Sequence, residues 1–207
     1  MKKIGIMGGT FNPIHFGHLF LAENAYEQLG LDRVLFIPSK NPPHKSKPED
    51  ITEQQRVDMI QLAIKGNPHF ELSTIELERG GITYTADTMT ILKGQNPDTD
   101  YYFIVGADSL FQMHQWYQPQ VIFDNCTVAA ANRDHADQEA LAKQVDMLKR
   151  QFNANIILLD MPTVQVSSCD IRERVAERKS VRYYLPGEVL DYIKIQQLYS
   201  GASEDRT

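Results

Sequence analysis

Two histidines stand three residues apart behind a pair of glycines, in the stretch Gly8-Gly9-Thr10-Phe11-Asn12-Pro13-Ile14-His15-Phe16-Gly17-His18. At a helix start that spacing puts both imidazoles on one side of the first turn. Such an end also offers N–H groups and a positive partial charge, a natural seat for phosphate. The glycines allow a ligand to approach the backbone closely. The spacing fits neither the G-x-G-x-x-G dinucleotide fingerprint nor a Walker A loop, which would end in Gly-Lys-Ser/Thr. Phosphate chemistry on a turn of another kind is therefore expected. Two rival readings stand beside it: histidines that only pack and hydrogen-bond, and a zinc site, for which no third His or Cys lies nearby in sequence.

Other residues could join that chemistry. Lys40, His44, Lys45 and Lys47 make a cationic cluster in the loop Pro38–Pro48; it is either a solvated connector or a strap over phosphates. Ser167 and Ser168 precede a helical run through Ile171 and Val175, so they are N-caps at least. Beside Arg172 the pair also makes an anion site. Asp108 follows a strongly apolar strand, where a carboxylate is expected to face a crevice. Trp116 is the only tryptophan, set among polar neighbours and Tyr117; it belongs either to the core or to a stacking platform. Thr83 to Thr88 read as another helix start, with N–H groups that could receive a carboxylate near Thr85.

Something must bring these distant groups together. Short apolar runs at Lys3–Met7, Val34–Ile37, Tyr101–Val105, Cys126–Ala131 and Ile156–Leu159 read as buried strands. Helical spacings join Leu19, Ala22, Tyr26 and Leu29, then Val57, Ile60 and Ile64, then Leu141, Val145 and Leu148. The alternation predicts an α/β fold: a Rossmann-like, open, mainly parallel sheet with helices on both faces. In such sheets ligands bind beyond the carboxyl ends of the strands, where the candidate groups lie. The 207 residues fit one domain, 1–200, with a small polar tail, 201–207, expected to fray. Hydrophobic residues are 42% and charged residues 23% of the chain, an ordinary globular composition. Lys plus Arg is 21 against 27 Asp plus Glu, a net charge of −6 that argues against nucleic-acid binding. Two cysteines, Cys126 and Cys169, are too few for a disulfide framework. Apolar runs of about five residues, against roughly 20 for a membrane span, predict a soluble, cytoplasmic protein.

Eight of the eleven positions from Gly8 to His18 match the G-G-T-F-D-P-x-H-x-G-H signature of the nucleotidyltransferases related to class I aminoacyl-tRNA synthetases. Asn12 stands where that signature has Asp. The resemblance extends along the chain through Pro42-Pro43-His44-Lys45, Gly106-Ala107-Asp108 with Trp116-Tyr117, and Val166-Ser167-Ser168-Cys169-Asp170-Ile171-Arg172. The last segment resembles an I-S-S-T-x-I-R box, with Val166 for Ile and Cys169 for Thr. In that order the motifs resemble the bacterial nicotinate-nucleotide adenylyltransferase family.

The resemblance implies transfer of the adenylyl group of ATP to nicotinate mononucleotide, releasing pyrophosphate, in NAD biosynthesis. His15, His18, Thr10, Lys45 and Arg172 would serve the transfer. Gly8, Gly9, Phe11 and Gly106, with Ser167, Ser168 and Ile171, would join His15, His18, Lys45 and Arg172 in holding ATP. Thr85, Asp108, Trp116 and Tyr117 would hold the mononucleotide. Mg²⁺ would arrive with ATP, held mostly by phosphate and water; its protein ligands are not named by the sequence. Two small-molecule substrates are the expected partners, with room for a homodimer. A sister transferase acting on phosphopantetheine or making a CDP-alcohol, and a non-catalytic nucleotide sensor, are the alternatives.

Overall fold

The computed structural model describes residues 1–40, 51–79, 81–131, 138–162 and 164–200. Each apolar run expected to be a strand is one: β1 (Lys2–Gly9), β2 (Arg33–Pro38), β4 (Thr99–Val105), β5 (Thr127–Ala131) and β6 (Ile156–Leu159). A further strand, β3 (Phe70–Leu72), was not legible, because three residues Phe-Glu-Leu are too short to show a pattern. The six strands are all parallel, in the order β3-β2-β1-β4-β5-β6.

That order contains a switch. From β1 the chain builds outward through β2 and β3, then returns to β4 on the other side of β1 and builds outward again. Helices leaving β1 and β4 therefore diverge, and a crevice opens between the carboxyl ends of these two strands. Gly8 and Gly9 close β1 rather than open a turn; they pair in register with Ile37 and Pro38.

Helices cover both faces, as the alternation predicts. Along β4, Tyr101, Phe103 and Val105 point into one core and Ile104 into the other. The Ile104 side is packed by α1 (Phe16–Leu29), α2 (Glu53–Ile64), α8 (Ser168–Ala176) and α9 (Gly187–Ile195). The Phe103 side is packed by α4 (Thr85–Gln95), α5 (Ala107–Gln112), α6 (Pro119–Asn125) and α7 (Gln138–Phe152). A one-turn helix, α3 (Ile75–Glu78), lies between β3 and α4. No described helix is long and apolar enough to cross a membrane. Residues 41–50, which carry His44, Lys45 and Lys47, and the tail 201–207 lie outside the described residues.

Close packing on β1 yields a test. A Cβ at Gly5 would stand 2.8 Å from both Ile104 Cδ1 and Leu31 Cδ1, and 3.1 Å from Val34 Cγ2. Overpacking of this kind costs about 1–3 kcal/mol. Gly5→Val should lower the thermal midpoint well beyond Gly5→Ala, whose single carbon the side-chain ends can partly escape. Equal midpoints for both variants and wild type would show that Ile104, Leu31 and Val34 do not close on β1 here.

Candidate active site

The site residues fall into two groups, or compartments, that meet at the turn after β1. One surrounds a cavity of about 190 Å³ lined by Gly8, Gly9 and Thr10, by Ser39, by Glu76, by Thr83–Thr85, and by Trp116 and Tyr117. The structure thus gathers Thr85, Trp116 and Tyr117 around one space. Asp108 is not among its lining residues: it lies exposed on the first turn of α5, with Gly106 as the N-cap of that helix.

Polar atoms mark this cavity as a binding site. Ser39 Oγ and Trp116 Nε1 are buried without a hydrogen-bond partner, and both residues line it, while the Thr83 hydroxyl on the same wall is turned to Glu76. Native proteins rarely leave such groups unpaired, so two around one cavity point to a ligand that pairs them. Trp116 both packs against the core and lines the cavity. Its ring packs edge-to-face on Phe103, with centroids 6.1 Å apart, and reaches the core on the Phe103 side while lining the cavity. Tyr117 stacks at a tilt on Tyr84, 4.3 Å between centroids. Tyr84 is the N-cap of α4, and no side chain caps that helix start. Among the lining residues there is no Lys or Arg; the one charged group is Glu76, whose pKa burial pushes up. Its carboxylate accepts from Thr88 Oγ1 at 2.7 Å, while Arg79 is committed to Asp87 at 3.1 Å. An anion here would have to be received by the N–H groups of α4 and by hydroxyls.

The second compartment holds the histidines and the start of α8. His15 is buried and its ring lies 3.8 Å from that of His18 between centroids, at 30°. The His15 backbone N–H donates to His18 Nδ1 at 3.3 Å. That bond places the His18 proton on Nε2, so the ring presents Nε2–H as a donor. The Phe11 ring holds His18 from the side, 5.1 Å between centroids. Gly17 is required by this stack: a Cβ there would meet His15 Nδ1 at 3.0 Å. Burial lowers the His15 pKa to about 4, against a smaller upward pull from Asp170. Burial also holds His18 well below its ordinary value, with His15 adding to the effect. Both rings are neutral donors at neutral pH, not cations.

One expectation needs correcting. The start of α1 is not an open row of N–H groups, because Phe16 N–H donates to Tyr184 O at 3.0 Å and His18 N–H to His15 O at 3.0 Å. The His18 imidazole is therefore the principal donor that this helix start presents.

The α8 residues brace the turn. Ser167 caps the helix by accepting from Asp170 N–H at 3.0 Å. Ser168 Oγ donates to Pro13 O at 2.9 Å, and Arg172 Nη1 donates to Asn12 O at 2.7 Å. Arg172 has five N–H donors, so the bond to Asn12 does not exhaust its fork. The side chains of Phe11 and Ile171 are in the core, which leaves only their backbone for a ligand. Asn12, where the resembling signature has Asp, is buried, and its Oδ1 accepts from the Tyr199 hydroxyl at 2.6 Å. A neutral amide fills that place without burying a charge. Cys169 is exposed and donates to Glu173 at 3.4 Å. Lys40 Nζ donates to Leu77 O at 2.8 Å. Three residues in this architecture were missed from sequence: Arg56, Glu76 and Tyr199. Only Arg56 had a signal, a charge standing in the helical register of Met59 and Ile60 on a buried face.

The neutral histidines make stability depend on pH. Between pH 6.5 and about 4 the unfolded chain binds a proton at His15 that the folded chain refuses. Stability is therefore complete above about 6.5 and falls as pH drops through that window, by roughly 3 kcal/mol for His15. The urea midpoint of His15→Asn should fall less between pH 7 and 4.5 than that of wild type. Parallel pH profiles would mean that His15 is not buried neutral.

A family profile described as cytidylyltransferase-like matches residues 6–174. A probable nicotinate-nucleotide adenylyltransferase of Lachnoclostridium phytofermentans is 49% identical, covering 93% of this chain and 96% of its own. One from Carboxydothermus hydrogenoformans is 43% identical over 95% and 98%. The fold is also that of a Plasmodium falciparum nicotinic acid mononucleotide adenylyltransferase complexed with NaAD, at a TM-score of 0.77 and 20% identity, covering 96% of this chain and 98% of that one. With a profile spanning both compartments of the crevice and relatives alike from end to end, the chain belongs to the cytidylyltransferase-like family.

Proposed function

We infer that this chain is a nicotinate-nucleotide adenylyltransferase, joining the adenylyl group of ATP to nicotinate mononucleotide in NAD biosynthesis. The observation that carries the reading is the cavity with the unpaired buried Ser39 Oγ and Trp116 Nε1, set against the turn that carries His18. The high-identity relatives support the same activity. A sensor without catalysis would not need a neutral donor pair held ready at that junction. As an enzyme of small soluble metabolites, the protein is assigned to the cytoplasm.

In the reaction an oxygen of the mononucleotide phosphate attacks the α-phosphorus of ATP. The new P–O bond forms as the bond to the β-phosphate bridging oxygen breaks, and pyrophosphate leaves with that electron pair. The attacking phosphate is already anionic at neutral pH, so no base is required. What the protein supplies is alignment and donors for charge on the α-phosphate and leaving group. His18 Nε2–H and the Thr10 hydroxyl are assigned to the α-phosphate, with Gly8 and Gly9 allowing close approach. Arg172, Ser168 and Lys45 are assigned to the ATP phosphates, Ser168 through its backbone N–H because its hydroxyl is given to Pro13 O, and Lys45 from the resemblance alone. Mg²⁺ would arrive with ATP and would supply charge neutralisation to the phosphates. Among the described residues no group of three or more His, Cys, Asp or Glu could hold an ion.

The acceptor is assigned to the cavity, its pyridine ring against Trp116 and its carboxylate at the start of α4. A charge-assisted bond to N–H groups is roughly twice as strong as a neutral one. An amide would instead direct an NH₂ donor at donors.

The test is pyrophosphate release from ATP and Mg²⁺ with a panel of acceptors. Nicotinate mononucleotide should be used well ahead of its amide, and phosphopantetheine and phosphorylated alcohols not at all. No release with any acceptor would leave the sensor standing; equal kcat/KM for acid and amide would refute the carboxylate seat. His18→Ala should cost roughly 10²–10³ in kcat with the fold intact. Trp116→Ala should weaken mononucleotide binding by roughly 5- to 150-fold, by analogy with base–aromatic stacking, and spare ATP. Lower thermal stability with no selective loss would place Trp116 in the core alone.

A further inference from the structure

Arg56 is the largest fully buried side chain among the described residues, 1% exposed near the start of α2. A guanidinium is costly to bury and is kept inside only where hydrogen bonds compensate. Its Nη1 donates to Thr10 O at 3.0 Å and to Ser39 O at 2.7 Å. These carbonyls belong to the first residue after β1 and the first after β2. Ser39 N–H donates to Gly9 O at 2.8 Å, carrying the strand pairing to the same point. Thr10 and Ser39 line the cavity, and Arg56 does not. The two carbonyl oxygens therefore point at a cation under the crevice floor, not at the space assigned to the anionic substrates.

We propose that Arg56 is a positioning residue for adenylyl transfer: it locks the ends of β1 and β2 together and turns the Thr10 and Ser39 carbonyls away from the phosphates, touching neither substrate. The proposal rests on the adenylyltransferase reading. Freed from Arg56, either carbonyl could swing its negative end toward the transferring group, and Thr10 would lose its fixed place beside the α-phosphate. Lysine keeps the charge, but its ammonium stops one bond short of the Nη1 position and carries no fork.

The test compares Arg56→Met and Arg56→Lys with Ile60→Ala, which opens the same helix face at a residue bonded to neither strand end. Kinetics are read per folded molecule, with both substrates varied. A misplacement behind a reacting centre can cost roughly 10²-fold in rate, the loss expected in kcat for Arg56→Met, with both KM values within about threefold of wild type. Arg56→Lys should lose roughly tenfold in kcat and so answers the question even if the methionine variant does not fold. Ile60→Ala should lower the thermal midpoint while holding kcat within about threefold. Three results overturn the proposal: kcat unchanged in a folded Arg56 variant, a loss confined to KM, or an equal kcat loss in Ile60→Ala. Absence of turnover in wild type would sink the adenylyltransferase reading and this proposal together, whereas an active wild type with a fully active Arg56→Lys sinks only the latter.

Discussion

Between Thr10 and Pro13, three backbone carbonyls accept hydrogen bonds from side chains far away in sequence. Arg56 takes Thr10 O, Arg172 takes Asn12 O and Ser168 takes Pro13 O. A fourth long-range bond, from Tyr199 to the Asn12 side chain, closes the clasp. Carbonyls in a tight surface turn otherwise seek water or point into whatever cleft lies beside them. Here each is satisfied by a side chain, two of them by guanidinium groups. The turn is thereby held from α2, α8 and the C-terminal end of the chain at once, and the His15–His18 pair inherits its position. Loosening any one of these bonds acts on the junction of the two compartments.

This arrangement answers an electrostatic problem. The chain carries a net charge of −6, and the substrates assigned to it are anions. No described lysine or arginine lines the cavity, so among the described residues an acceptor there meets short, directed donors: the start of α4, the Ser39 hydroxyl and the indole N–H, with His18 Nε2–H beside them. Neutral imidazoles suit that design, because they donate without requiring a counter-charge when the site is empty. Burial keeps them neutral, and the same burial gives the fold its sensitivity to mild acid.

Much of this was legible in the residues. Continuous apolar runs gave away five parallel strands, and the position of every motif just beyond a strand end located the crevice. Ser167 as a cap and the α4 start at Thr85 have local signatures, whereas the grouping of Thr85 with Trp116 and Tyr117 came from the family resemblance. What stayed hidden depends on contacts between distant segments. Nothing near Phe16 announces that its N–H will be taken by Tyr184, nor does anything near Tyr199 announce a bond to Asn12. Glu76 sits in a one-turn helix too short to show which face is buried. Arg56 is the instructive case: its register among Met59 and Ile60 marked it as buried, but its partners could be known only once β1 and β2 were side by side. Asp108 shows the converse, since following a strand put it at the crevice edge but not in the cavity.

The account depends most on His18 as a neutral donor, with its proton on Nε2, aimed at the transferring phosphate. Nitrogen-15 NMR of the histidine-labelled protein at neutral pH reads that state directly, with His18→Gln assigning the signal. The account predicts a neutral ring in the Nε2–H form, and a shift of Nε2–H toward a stronger hydrogen bond when a non-hydrolysable ATP analogue binds. An imidazolium, an Nδ1–H tautomer, or an Nε2–H unmoved by the bound analogue would contradict it.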